Sequence, residues 1–556
     1  MVKESRSKFL VALLSLSVLG AALAFGGPLI SRVKKSGSPI PGRGQVAATA
    51  NRGGSAAPLA QHGPSSTQLM AGNIPPALPG GKSAPAATIA TPPAKTESAG
   101  HEPERAATIS SQPAAPLPPV PPGAALYIAQ RGDTIAGVAR HNLARTSFLL
   151  VSELETAIRA ANNNKRGDFF KPGEPVIIPG ILPAPIVEHP ISATAQTEFR
   201  GLYLTGYTAG AESGLRVIRD WKAAGGNAIV FDLKDYDGWV NVPYKNPLAP
   251  TTNFGLIPDP PKFIHFLHSL GLHAIARVAC FRDAYLAQHN PSLDVHSRAT
   301  GKPWLENGKL AWLDPSLREV QDYDIGLAKV AVDAGVDEIQ FDYIRFPAEG
   351  NQKDARFAFE SVHPQWTRAD VITDFLRRAY AEFHSSGVLL SLDVFGVMAW
   401  QRDVDLSHTG QDIPALAKHC DVLSPMIYPS HFFRMDGYDL PGDAPDHFIT
   451  ASLDRFKAIT QDSHVVIRPW LQGFAWRTKT FSPDYICEQI NLAKGNGGVG
   501  YLFWNARNDY RVLFSGVQEL HAEPNKVFRV DRVVAHAEPA SPRPRHLKAA
   551  TRTSQR

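Results

Sequence analysis

The 556-residue chain has only three cysteines, Cys280, Cys420 and Cys487, far apart and odd in number. That excludes a disulfide framework or a zinc knuckle and leaves at most one pair. It has no H-E-x-x-H stretch and no Cys/His ligand spacing, so nothing in the sequence calls for a metal or a cofactor. A G-x-S-x-G nucleophile elbow is also lacking. His408 and His431 stand apart from any partner motif and read as loop or substrate contacts.

The net positive excess is small and confined to one end of the chain. The formal net charge is +5, and Arg543, Arg545, Lys548, Arg552 and Arg556 lie in a C-terminal stretch without an acid. The acid-free part is 539–556; the basic tail that includes it (523–556) reads as a solvated end, and no nucleic-acid partner is expected. Aromatic residues are nearly missing from 28–124, which is built of Pro, Ala, Ser, Gly and Thr. Such a segment cannot bury enough apolar surface to offset its ordering entropy, so it reads as a disordered tether. Runs such as PAAPLPPVPPG stiffen it.

At the N-terminus, Lys3, Arg6 and Lys8 precede the apolar run FLVALLSLSVLGAALAF with its Ala22-Leu23-Ala24 site. Residues 1–27 therefore read as a secretory signal cut near Phe25, with an uncleaved membrane anchor as the alternative. Either way the rest of the chain is expected outside the cytoplasm, in the periplasm, the envelope or the medium.

Order is expected from Leu126. LYIAQRGDTIAGVARHN reads as a strand, a turn and a helix; SELETAIRAANN as a second helix; FFKPGEPVIIPG as a turn and closing strand. On Tyr127, Gly132, Asp133, Thr134, Ile135, Asn162, Gly173, Ile178 and Pro179, the segment 125–182 resembles a LysM module. The resemblance implies a small βααβ fold that binds N-acetylglucosamine-containing glycans such as peptidoglycan.

From 197 to 522 apolar strands alternate with segments of helical period. The strands are RGLYLTGY, NAIVFDLK, HAIARVAC, DEIQFDYI, VLLSLDVFG, DVLSPMIY, VVIRPWLQGF and VGYLFWN. Asp314-Pro315 and Ser482-Pro483 read as helix starts, and Gly225, Gly271, Gly335, Gly387 and Gly495 as helix stops. Eight repeats predict an α/β fold, a (β/α)8 TIM barrel. A doubly wound sheet lacks its Gly-rich phosphate loop.

The chemistry of such a barrel lies at the C-terminal strand ends, and every second residue faces inward. Asp232, Asp342 and Asp393 share that position on the second, fourth and fifth strands, and Asp235 follows in the loop after the second. Arg277 and Arg345 add fixed positive charge. Tyr428, Trp470 and Trp504 end the last three strands, beside the amides Gln472 and Asn505. Acids, amides and aromatic faces suit a sugar, so the expected partner is a polysaccharide or a peptidoglycan glycan.

RGLYLTGYTAG, FDLKDYDG, FDYIRFP, SLDVFG and SPMIYPSH are similar to the bacterial "putative glycosyl hydrolase" barrel family, distantly related to alpha-amylase-like enzymes. The resemblance implies a glycosidase, retaining or inverting, with Asp342 as nucleophile and Asp393 as acid/base. Related barrels carry Glu at the second position, so Asp232 and Asp235 stand as substitutes. A non-catalytic glycan-binding barrel is the alternative function.

Overall fold

The computed structural model describes residues 117–191, 193–250 and 256–522. The signal or anchor (1–27), nearly all of the tether and the tail (523–556) lie outside the described residues.

The first ordered unit is a strand–helix–helix–strand hairpin. Strands Ala124–Ile128 and Pro175–Pro179 pair antiparallel, and helices Ile135–Asn142 and Val151–Ala161 pack between them in sequence. Thr134 caps the first helix by accepting from Gly137 N–H, and Asp133 accepts from the Tyr127 hydroxyl at 2.7 Å. The Asn162 amide ties the second helix to the closing strand through Ile177 N–H and C=O. Ile135, Leu154, Ile158 and Val176 are fully buried between these elements. The unit leans on the barrel through Lys262, whose ammonium donates to the carbonyls of Leu143 and Phe148.

Eight parallel strands then close into a barrel in chain order, the fifth pairing with the sixth and the eighth with the first. They are Phe199–Leu204, Ala228–Lys234, His273–Ala279, Glu338–Asp342, Leu389–Phe395, Val422–Met426, a seventh in two pieces, and Gly500–Trp504. The seventh splits into Val466–Ile467 and Trp470–Gln472 around Pro469, which has no N–H for the ladder. Gly500 begins the closing strand at φ +80°, where an added Cβ would lie 2.0 Å from the Phe199 carbonyl oxygen. Only glycine allows closure there.

Outward strand residues meet the helices. Ile339 and Phe341 are fully buried, with Phe341 5.4 Å from Phe375 on helix Arg368–His384. Burying a side chain of this size contributes about 1.5–3 kcal/mol. Ser482 caps helix Pro483–Gly495 as expected, accepting from Tyr485 N–H. Asp314 does not cap a helix. Its carboxylate accepts from Ser316 N–H and Ala358 N–H, bracing two loops, and the helix starts at Arg318. Gly495 remains inside its helix; the left-handed stop is Gly497, at φ +87°.

The barrel interior is polar at its lower end as well as at its mouth. Both Glu338 oxygens accept from Arg468, at 3.0 and 2.9 Å, and His273 lies 3.1 Å from the same carboxylate. Against its complete burial, Arg468 and then His273 hold the Glu338 carboxyl down to about 2. A depressed carboxyl contributes stability above its ordinary value of 4.5 that is lost as pH falls towards 2. Arg468→Met should leave that buried charge with only His273 beside it, costing up to roughly 3–5 kcal/mol. Urea unfolding at neutral pH checks this; a midpoint equal to wild type would contradict it.

Candidate active site

At the C-terminal end of the barrel one guanidinium meets four carboxylates. Arg277, on the third strand, is 1 % exposed. Its Nη1 donates to Asp232 Oδ1 at 2.6 Å and to Asp235 Oδ1 at 3.3 Å. Its Nη2 donates to Asp342 Oδ2 at 2.6 Å, and its Nε lies 3.8 Å from Asp393 Oδ2. Ladder register produces this convergence. Asp232 pairs with Arg277 across strands two and three. Phe341 pairs with Leu392, so Asp342 and Asp393 follow side by side on strands four and five, which lie about 4.8 Å apart.

Each acid has its own second partner. Asp232 Oδ2 accepts from the Tyr203 hydroxyl at 2.5 Å. Asp393 Oδ1 accepts from Trp470 Nε1–H at 2.6 Å. Asp342 Oδ1 accepts from the N–H of Tyr343 at 2.6 Å. Tyr343 holds φ +52°, an unusual conformation for a bulky residue and one that stores strain beside a reactive group. Its ring is fixed among Trp312, Tyr236 and Arg282.

The surroundings drive the acids apart. Burial, then repulsion from Asp342, pushes the Asp393 carboxyl well above the usual range, against Arg277 and Trp470. Burial likewise pushes Asp232 up to about 7, opposed by Arg277 and assisted by Asp235. Side-chain exposure also differs: 2 % for Asp393, 10 % for Asp342 and 24 % for Asp235.

The other expected site residues divide. Trp504 is half-buried, stacked on Tyr203 at 3.9 Å with Arg277 5.1 Å from its ring. Tyr428 lines the mouth near Asp393, 5.5 Å from Phe474. Trp470 is 1 % exposed and acts as a hydrogen-bond donor, so it is no open platform. Arg345, three residues after Asp342, makes no ion pair with it among the described residues. It donates to the Phe346 carbonyl and packs against Trp312 and Phe395. Gln472 is not available to a sugar: its Oε1 accepts from Ser430 N–H, and its Nε2 donates to Phe474 C=O and Thr478 Oγ1. The Asn505 amide is similarly engaged by Gly473, Asp509 and Arg507. Two residues were not anticipated. Tyr203 could have been found, since it sits at an inward position of its strand. Trp476, half-buried against His431 and beneath Arg477, lies in an irregular loop without a periodic signal.

Residues 201–510, more than half of the chain, match the family described as "Putative glycosyl hydrolase domain". Among solved structures, a hypothetical protein from Ruminiclostridium thermocellum ATCC 27405 is 36% identical, with 35% of this chain and 97% of that chain covered and a TM-score of 0.30. The PgaB (BpsB) glycoside hydrolase domain from Bordetella bronchiseptica is 14% identical, covering 58% and 98%, at 0.44. The spore cortex-lytic enzyme SleL from Bacillus megaterium QM B1551 is 14% identical, covering 73% and 87%, at 0.35. No curated protein matches the chain.

A raised carboxyl contributes stability fully present below its ordinary value and lost as pH rises through its folded value. For Asp232 the window runs from 3.8 to about 7. Asp232→Asn keeps the shape without the titration, so it should gain stability relative to wild type across that window. Urea midpoints measured at several pH values check this; parallel curves for the two proteins would contradict it.

Proposed function

The chain belongs to the "putative glycosyl hydrolase domain" family, and we propose that its barrel hydrolyses glycosidic bonds in an envelope or extracellular polysaccharide. One observation carries the reading: Asp342 and Asp393 stand side by side near the C-terminal ends of neighbouring strands and face one guanidinium, in environments that set them apart. In this reading Asp393, kept protonated by burial and by Asp342, gives its proton to the leaving oxygen. Asp342, more open and oriented by Arg277 and Tyr343 N–H, attacks the anomeric carbon or balances its developing positive charge. The half-buried Trp504 and Trp476 offer aromatic surface to the sugar.

The exposure of Asp235 on the same guanidinium favours a second assignment, in which Asp235 supplies the proton from the loop. Asp342→Asn should nearly abolish glycan release while glycan binding and melting temperature stay close to wild type. Loss of a general acid costs about 10²–10⁴-fold in turnover, so comparing Asp393→Asn with Asp235→Asn identifies which residue fills that role. A stable Asp342→Asn protein that still cleaves at the wild-type rate would remove Asp342 from the catalytic role, and wild-type protein that releases nothing from a panel of envelope glycans would remove the hydrolase reading.

The βααβ unit is proposed to hold the enzyme on N-acetylglucosamine-containing wall glycan, on the far side of the membrane from the cytoplasm. Residues 117–191 should then cosediment with insoluble peptidoglycan without the barrel; recovery entirely in the supernatant would exclude this role.

A further inference from the structure

A second cavity, of about 500 Å³, lies among the loops that follow the third and fourth strands. It shares no lining residue with the cluster around Arg277. Asp294, His296, Arg298, Arg356, Phe357 and Glu360 contribute to its walls. Its volume falls within the roughly 300–1,000 Å³ of small-molecule sites.

Its frame is braced from both loops. His296–Ser297 and Ala355–Arg356 pair as a short antiparallel ribbon, and Arg298 bridges to Glu360 at 2.5 Å. Asp314 accepts from Ala358 N–H at 2.6 Å, and Ser316 Oγ accepts from Phe359 N–H at 3.1 Å. Against this bonded frame Asp294 stands out. It is 1 % exposed, and neither carboxylate oxygen has a hydrogen-bond partner among the described residues. Burial pushes its carboxyl up to about 7, and no cation offsets that. Buried polar atoms are nearly always bonded, so these two oxygens call for donors from outside the chain.

The lining selects the donor. Arg298 and Glu360 neutralise one another, leaving Asp294 and Asp314 against Arg356 and His296. A strongly anionic or cationic ligand would meet like charge on one wall. A neutral polyhydroxyl ligand would donate to Asp294 and accept from Arg356 without meeting a like charge. We propose that this cavity is a second carbohydrate-binding site, separate from the barrel mouth. The inference rests on Asp294 and the cavity around it, and it holds whether or not the barrel is a hydrolase.

The test is hydrogen exchange by mass spectrometry on the full chain carrying Asp342→Asn, with and without chito- or malto-oligosaccharides. Peptides covering 291–298 and 355–361 should be protected by sugar. Asp294→Asn should raise the half-saturating concentration for that protection about tenfold. Ser361→Trp, which plugs the cavity from its exposed rim, should remove it, while peptides covering 428–432 and 470–476 respond as before. Protection confined to the mouth peptides would overturn the second site and leave the hydrolase reading standing. Protection at the ribbon alone would do the reverse. Ribbon protection that survives Ser361→Trp would overturn the placement. No protection anywhere would overturn the second site, with water as the cavity's occupant, and would also deprive the barrel of these glycans.

Discussion

The barrel mouth is organised around a single buried cation. Arg277 is almost wholly removed from water and touches Asp232, Asp235, Asp342 and Asp393. A charge in that position costs several kcal/mol unless paired, and so do the carboxylates around it. One guanidinium cannot serve four acids equally. Its two terminal nitrogens take Asp232 and Asp342 at 2.6 Å, and Asp393 is left at 3.8 Å from Nε. The inequality of the acids therefore follows from the geometry of the cation. The least well paired acid, Asp393, is also buried and adjacent to Asp342, which is why its carboxyl is pushed well above the usual range.

Neighbouring residues hold the cluster in place. Tyr203 and Trp470 each donate to one acid, and the two rings pack edge to face at 6.4 Å. Trp504 stacks on Tyr203 and lies 5.8 Å from Trp470, so the aromatic wall and the acid cluster form one packed unit. The strained backbone of Tyr343 turns the chain sharply after Asp342 and aims its N–H back at that carboxylate. The mouth of the barrel is thus positioned by rigid strand ends, while the loops beyond the third and fourth strands enclose a separate polar cavity.

Much of this was legible in the sequence. Strand alternation placed Asp232, Asp342 and Asp393 on one inward face, because side-chain parity is a local property of an extended chain. The strand count, and with it the barrel, was legible for the same reason. Partnership was not. Arg345 lies near Asp342 along the chain, yet the turn at Tyr343 carries it into an aromatic niche, and the cation that answers Asp342 comes from a neighbouring strand. Trp470 and Gln472 have the composition of sugar contacts, but one donates to Asp393 and the other ties down loops. Asp294 gave no signal at all, since its distinction is a missing partner.

What distinguishes Asp393 in the cluster is a carboxyl pushed well above the usual range while it shares a cation with Asp342. Infrared difference spectroscopy with isotope-labelled aspartate reads this directly. At neutral pH the wild-type protein should show a protonated carboxyl C=O stretch that is missing from Asp393→Asn and restored by no other change in the cluster. Identical carboxyl bands in the two proteins would contradict the account.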